Sequence, residues 1–277
     1  DIVAGQSGGA LSKELYWFEC PEDPTRPWVK HLIVDRYKKY HDQIVADING
    51  DGKPEVIFIS QKAGVLCICE IPPDPRVSPW PEQYIHVAAE GIFDVEGLAV
   101  VDIDGDGRLE IVTGMHIFHA QGDPLNEPWR IETYAGDCTM ARVAVADLDG
   151  DGKLDIVLAE GESNPARLAW QSGSDGVKRL LRDDLFHPHS LCIGDFDGDG
   201  RPDIFVGEMG LDKNPDPKLL LYLNQGGGQF RETIIHRGLS THEAKIADMT
   251  GDGRLDIVGK PFDLNGGRID LWLNEGR

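Results

Sequence analysis

The nine residues "DINGDGKPE" carry Asp47, Asn49, Asp51 and Glu55 at positions 1, 3, 5 and 9. The same spacing returns four times. It gives Asp102, Asp104, Asp106 and Glu110 in "DIDGDGRLE", and Asp147, Asp149, Asp151 and Asp155 in "DLDGDGKLD". It then gives Asp195, Asp197, Asp199 and Asp203 in "DFDGDGRPD", and Asp248, Thr250, Asp252 and Asp256 in "DMTGDGRLD". Hard cations such as Ca²⁺ take six to eight oxygens at about 2.3–2.6 Å, supplied by loops from alternate positions with a main-chain carbonyl at position 7. Position 7 is Lys53, Arg108, Lys153, Arg201 or Arg254, so only its backbone oxygen serves. Two glycines per copy permit the sharp turn. The expected chemistry is the binding of several structural Ca²⁺ ions.

Two plainer readings do not account for these loops. An EF-hand needs a bidentate Glu at position 12 and flanking helices, but that position holds Phe58, Thr113, Leu158, Val206 and Gly259. A single Asp-Gly turn needs no metal. Five copies with acid or amide at the same four positions, Thr250 being the one departure, are not explained that way. Five divalent ions carry ten positive charges and would take the formal net charge of −21 to −11.

That charge excludes nucleic acid, whose phosphates it would repel. No run of 18 apolar residues predicts a membrane span, and 40% hydrophobic with 27% charged residues describes a globular chain. Five cysteines (Cys20, Cys67, Cys69, Cys138, Cys192) lack metal-ligand spacing. The chain opens on "DIVAG", which matches "DIVLA" from Asp155 and so reads as mid-repeat. An upstream secretion signal is compatible with that start, and a secreted or cell-surface location is favoured.

The loops must be held by strands. Their starts lie 55, 45, 48 and 53 residues apart, a period that signals a repeat architecture. An alternating run precedes each loop ("VAVAD") and an apolar run follows ("DIVLAE"). A third comes next ("LLLYLN", "IDLWLNE"), and a fourth often starts with an aromatic ("WVKHLIV", "FRETIIH"). Four short strands per period predict an all-β fold, a single β-propeller domain over residues 1–277 with four-stranded blades. Six blades are favoured over seven, with incomplete blades at both ends.

The pattern D-x-[DN]-G-D-G-x-x-[DE] followed by "DIV" or "EIV" resembles the FG-GAP/VCBS repeat, the calcium-loop propeller also found in integrin α-subunit heads. The resemblance covers essentially the whole chain and implies the fold and Ca²⁺, but not one function, because this propeller hosts adhesion heads, lectins and sugar-cleaving enzymes. More loosely, "HPHSLCIGDFDGDG" and "THEAKIADMTGDG" look like the propeller of aldos-2-ulose dehydratase-like proteins.

Six residues before each loop, at the far end of the preceding strand, stand His41, Glu96, Ala141, His189 and His242. Arg142 and Glu243 follow two of them, and the end of the next strand adds Gln61, His116, Glu160, Glu208 and Lys260. A propeller brings equivalent positions toward one axis, so these residues are expected to ring one funnel. His41, Glu96, Arg142, His189, His242 and Lys260 are the catalytic candidates. Gln61, His116, Glu160, Glu208 and Glu243 are the substrate-binding ones. The imidazoles with Glu96 would either hold a further cation such as Zn²⁺ or act directly as acid and base beside Arg142 or Lys260. The plain alternative is polar capping of strand ends. His31, His86, His119 and His236 read as structural. Two functions follow: a sugar lyase or dehydratase, or a non-catalytic propeller binding carbohydrate or protein through aromatics such as Trp80, Trp129 and Trp170.

Overall fold

The apolar runs after the acidic loops are strands buried on both faces. Every residue of Glu55–Ser60 and of Asp155–Glu160 is buried. Alternate side chains of one such strand serve two cores: Val56 and Phe58 pack with Trp17, Ile33 and Trp80, whereas Ile57 and Ile59 pack with Ile111, Phe118 and Trp129. A strand between two hydrophobic layers needs apolar residues at every position, which is why it does not alternate.

The computed structural model describes residues 1–5, 13–138, 140–211, 213–262 and 267–276. The chain forms two compact units, Asp1–Asp137 and Cys138–Arg277. In the first unit, β1 (Ile2–Gly5), β2 (Leu15–Glu19) and β3 (Val29–Val34) make one sheet. The second sheet is β4 (Tyr40–Ala46), β5 (Glu55–Ser60), β6 (Val65–Glu70) and β7 (Ile85–Glu90). The third is β8 (Leu98–Val101), β9 (Glu110–Thr113), β10 (His116–Ala120) and β11 (Trp129–Thr133).

The second unit begins with β12 (Ala141–Ala146), β13 (Asp155–Glu160), β14 (Ala166–Gln171) and β15 (Lys178–Leu185). Its next sheet is β16 (Ser190–Gly194), β17 (Asp203–Gly207), β18 (Lys218–Gly226) and β19 (Gln229–Arg237). The last is β20 (Glu243–Ala247), β21 (Asp256–Lys260) and β22 (Asp270–Trp272).

All sheets are antiparallel meanders in chain order, and every acidic loop joins the first two strands of a four-stranded sheet or of the last one. Within the units β4 lies beside β8, and β16 lies between β12 and β20. The fold class is all-β, six blades of β-propeller type among the described residues, the first and last three-stranded. The second unit's cores follow the same logic: Val157, Leu168 and Trp170 meet Ile204, Leu220 and Tyr222, while Phe205 and Leu219 meet Ala244 and Ile257. The one helical element among the described residues is a 3₁₀ turn at Glu82–Tyr84, and none is long and apolar enough to cross a membrane. All five cysteines are free thiols.

Candidate functional site

In each loop the first aspartate is wrapped by backbone N–H groups. Asp47 Oδ1 accepts from Gly50 at 2.8 Å and Asp51 at 3.1 Å, and Oδ2 accepts from Gly52 at 2.8 Å. The same three bonds recur at Asp102, Asp147, Asp195 and Asp248. Wrapping this tight needs left-handed backbone: Gly50 has φ 75° and Gly52 φ 85°, a region that other residues enter at a cost of about 1–2 kcal/mol. The ninth-position carboxylate then reaches back to the second residue, as Glu55 does to the Ile48 N–H at 3.0 Å and Asp155 to that of Leu148 at 2.8 Å.

The result is converging negative charge. One oxygen each from Asp102, Asp104 and Asp106 lie within 4.8 Å of one another, as do those of Asp147, Asp149 and Asp155 and of Asp195, Asp197 and Asp199. Burial pushes Glu110 up to about 7 and Glu55 up to about 6, with the neighbouring loop aspartates adding to both. Burial also raises Asp155 and Asp203. Crowded carboxylates of this kind are what a bound cation relieves. The Asp248 loop differs: Thr250 stands where the others place a carboxylate or amide, and backbone N–H groups, that of Gly253 first, hold Asp248 below the usual range.

Position 7 and the third strand lock the loops in place. Arg201 Nε donates to the Asn224 carbonyl at 2.8 Å and Arg254 Nε to that of Asn274 at 2.7 Å, while Arg108 Nη1 donates to Ala120 at 3.2 Å. Asn224 donates its backbone N–H to Asp203 at 2.7 Å and its side chain to the Leu148 carbonyl, in the loop of the preceding sheet, at 2.8 Å. Asn274 repeats this with Asp256 and the Phe196 carbonyl, both at 2.8 Å.

In the first unit the strand ends opposite the loops bring together three candidates. His41 Nδ1 lies 2.8 Å from Asp42 Oδ2 and its Nε2 3.3 Å from Glu96 Oε1. Gln61 Nε2 donates to that same Glu96 oxygen at 2.7 Å, and Asp42 Oδ2 also accepts the Gly97 N–H at 3.0 Å. Glu96 is fully buried. His116 is placed differently. It starts β10 and does not end β9, and its Nδ1 meets Thr133 Oγ1 at 2.9 Å on the outer strand of its own sheet. Burial lowers its pKa.

In the second unit His189 and His242 stack, ring centroids 4.2 Å apart and 14° from parallel. His189 is fully buried, its Nδ1 2.8 Å from the His242 carbonyl. Nδ1 must donate there, which leaves Nε2 as the basic nitrogen, 3.6 Å from Glu162 Oε1. The Lys260 carbonyl accepts the His242 N–H at 2.7 Å, and the Lys260 side chain is exposed. Arg142 Nη2 lies 3.4 Å from Glu243 Oε2. A Cβ on Gly161 would fall 3.2 Å from both Arg142 Cγ and His189 Cδ2, so glycine lets this turn run between them and deliver Glu162.

Glu160 and Glu208 do other work. Glu160 accepts from the Arg167 backbone N–H at 2.9 Å and from its Nε at 3.0 Å, closing the β13–β14 hairpin. Glu208, fully buried, accepts the N–H groups of Phe186 and Lys218, each at 2.9 Å. Counting along a strand finds its end but not the side on which the last side chain leaves. Replacing Glu208 by Ala is expected to destabilise the protein by roughly 2–5 kcal/mol, because each orphaned buried donor costs about 1–3 kcal/mol. A denaturant midpoint unchanged from wild type would contradict this. Sequence reasoning missed Glu162, which sits in a turn of no fixed repeat register. It took His119 as structural although this residue stands beside the Asp102 loop.

A search of curated proteins finds no match. Among solved structures the chain is similar to the V. cholerae biofilm matrix protein Bap1, at 14% identity and a TM-score of 0.43, over 87% of this chain and 38% of that one. The chain thus spans well under half the length of that protein. The FG-GAP-like repeat profile matches residues 47–113, 147–206 and 195–259, a span that includes all five acidic loops. The chain belongs to the FG-GAP-like repeat family.

Proposed function

We propose that this protein is a calcium-stabilised propeller domain that acts on carbohydrate by elimination, in a secreted or cell-surface setting. Calcium is supported by the donor set: the loops at Asp147 and Asp195 offer only oxygen, from several carboxylates already within 4.8 Å of one another. The ions would be held by Asp47, Asn49, Asp51 and Glu55 and by their equivalents in the other four loops, with the position 7 carbonyl. They would neutralise charge that otherwise drives each loop apart. Extracellular modules of this type suit dissociation constants of about 10⁻⁴–10⁻³ M. The Asp248 loop, with Thr250, should be the weakest. In crystals grown at limiting Ca²⁺, occupancy at Asp248 equal to that at Asp147 would contradict this.

The observation that carries the elimination reading is the orientation of His189. A backbone carbonyl fixes the Nδ1 proton, so the Nε2 lone pair would take the proton from a carbon next to a carboxylate as the β C–O bond breaks and its oxygen leaves with a proton from water, while Arg142 offsets the negative charge that develops. In the other unit, the Asp42–His41 pair beside Glu96 is an oriented imidazole of the same kind. A cation such as Zn²⁺ on His189 and Glu162 is the second reading, since a 3.6 Å separation fits two ligands of one ion. The non-catalytic reading loses its aromatic platforms, because Trp80, Trp129 and Trp170 are 4%, 7% and 1% exposed and belong to the cores. The test is a screen of uronic-acid polysaccharides and keto-sugars with the Ca²⁺-loaded protein, following new ultraviolet absorbance from an unsaturated product. Tight binding without product across the screen would favour the binding module.

A further inference from the structure

Among the described residues, the Asp102 loop is the one with a histidine on the strand facing its ninth position. His119, on β10, places Nδ1 3.9 Å from Asp104 Oδ2 and 3.8 Å from Glu110 Oε1. These gaps are too long for hydrogen bonds. They do match two ligands of one ion, which at about 2.0–2.2 Å from a metal stand roughly 3–4.4 Å apart. One donor atom each from Asp104, Glu110 and His119 lie within 4.8 Å of one another. Glu110 is 2% exposed and its Oε2 accepts the Ile103 N–H at 3.0 Å, so Oε1 is the oxygen turned to His119.

The other side of the imidazole is also furnished. His119 Nε2 is buried and faces Glu132 Oε2 at 3.4 Å. That oxygen also accepts from Arg130 Nη1 at 3.2 Å; its negative charge beside Nε2 favours the proton on that nitrogen and the lone pair on Nδ1, the side of the ring that faces Asp104 and Glu110. The fold does not demand a histidine at this place. Opposite the ninth loop position, the paired or register-continued residue is Glu70 in the second sheet and Ser172, Leu223 and Leu273 in the later ones.

We infer that this one loop is a mixed nitrogen–oxygen site that takes a divalent first-row transition ion in preference to Ca²⁺, with Asp104, Glu110 and His119 as ligands and Glu132 as the residue that positions the imidazole. Imidazole favours zinc-like ions, whereas all-oxygen loops favour Ca²⁺. The inference rests on the reading that the loops bind divalent cations. Accessibility is not limiting, since the Asp104 side chain is 48% exposed.

The experiment is equilibrium dialysis of the full chain against micromolar Zn²⁺ in millimolar Ca²⁺, with metal content measured for wild type, His119→Gln and Glu132→Gln. The expected result is one Zn²⁺ retained by wild type that His119→Gln loses, with Glu132→Gln weakened about 10–100-fold. Glu132 is 48% exposed, so that variant folds even if His119→Gln does not. Equal zinc retention by all three proteins overturns the inference. A wild type that binds no Ca²⁺ in a separate calorimetric titration instead overturns the calcium reading of the loops, so the two failures are told apart.

Discussion

Stripping divalent cations with excess chelator is expected to lower the melting temperature by tens of degrees, and added Ca²⁺ to restore it better than Mg²⁺. Without a cation, Asp195, Asp197 and Asp199 face one another and Asp203 lies buried behind them. A ligand bound only by the folded state, at 100 times its dissociation constant, adds about 2.7 kcal/mol per site. In a unit of this size each kcal/mol moves the melting point by roughly 2–4 °C, so one site is worth about 5–10 °C. Mg²⁺ demands near-ideal octahedral geometry at about 2.0–2.1 Å and keeps its waters, which suits these multi-carboxylate loops poorly. A melt unchanged in chelator, with metal analysis showing the ions gone, would sink the calcium reading.

The second large effect is expected at His189. Once a turnover assay exists, His189→Ala should lose at least about 100-fold in kcat, the order expected for a missing general base. Arg142→Ala should lose a comparable factor, mostly in kcat if it offsets charge only in the transition state. His189→Gln keeps volume and a polar tip but cannot take a proton, so it should be as inactive as Ala while folding better. Equal activity in wild type and both His189 variants would defeat the acid–base reading. Zinc-dependent activity, abolished in His189→Ala and Glu162→Ala alike, would favour the metal reading of the same residues.

The blades were legible because their signal is repeated. Five loops of one spacing, each followed by an apolar run, locate the first two strands of five sheets, and chemistry imposes that spacing on every copy. The strand-end candidates were legible only as positions. Counting back from Asp47 and Asp195 reaches His41 and His189 because a strand advances by a fixed step. It did not reach Glu162, which arrives by a turn, nor reveal that Glu160 and Glu208 bind backbone N–H groups. His119 was hidden for another reason: its approach to Glu110 is set by pairing between β9 and β10, and register is not written at a single residue. The tryptophans misled because aromatic residues signal platforms and cores alike.

The asparagines of β18 and of the segment after β22 give the second unit a direction. Each grips the ninth residue of its own loop through its main chain and the second residue of the loop before it through its amide. The three loops of this half therefore form a row of dominoes tied at the ankles. Slack at the Asp248 end, the loop least equipped with charge, passes through Asn274 to Phe196 and from there through Asn224 to Leu148. Thr250, the one departure from acid or amide at its position, thus sits in the last loop of this row, which is tied through Asn274 to one neighbour of its unit, whereas the Asp195 loop is tied to two.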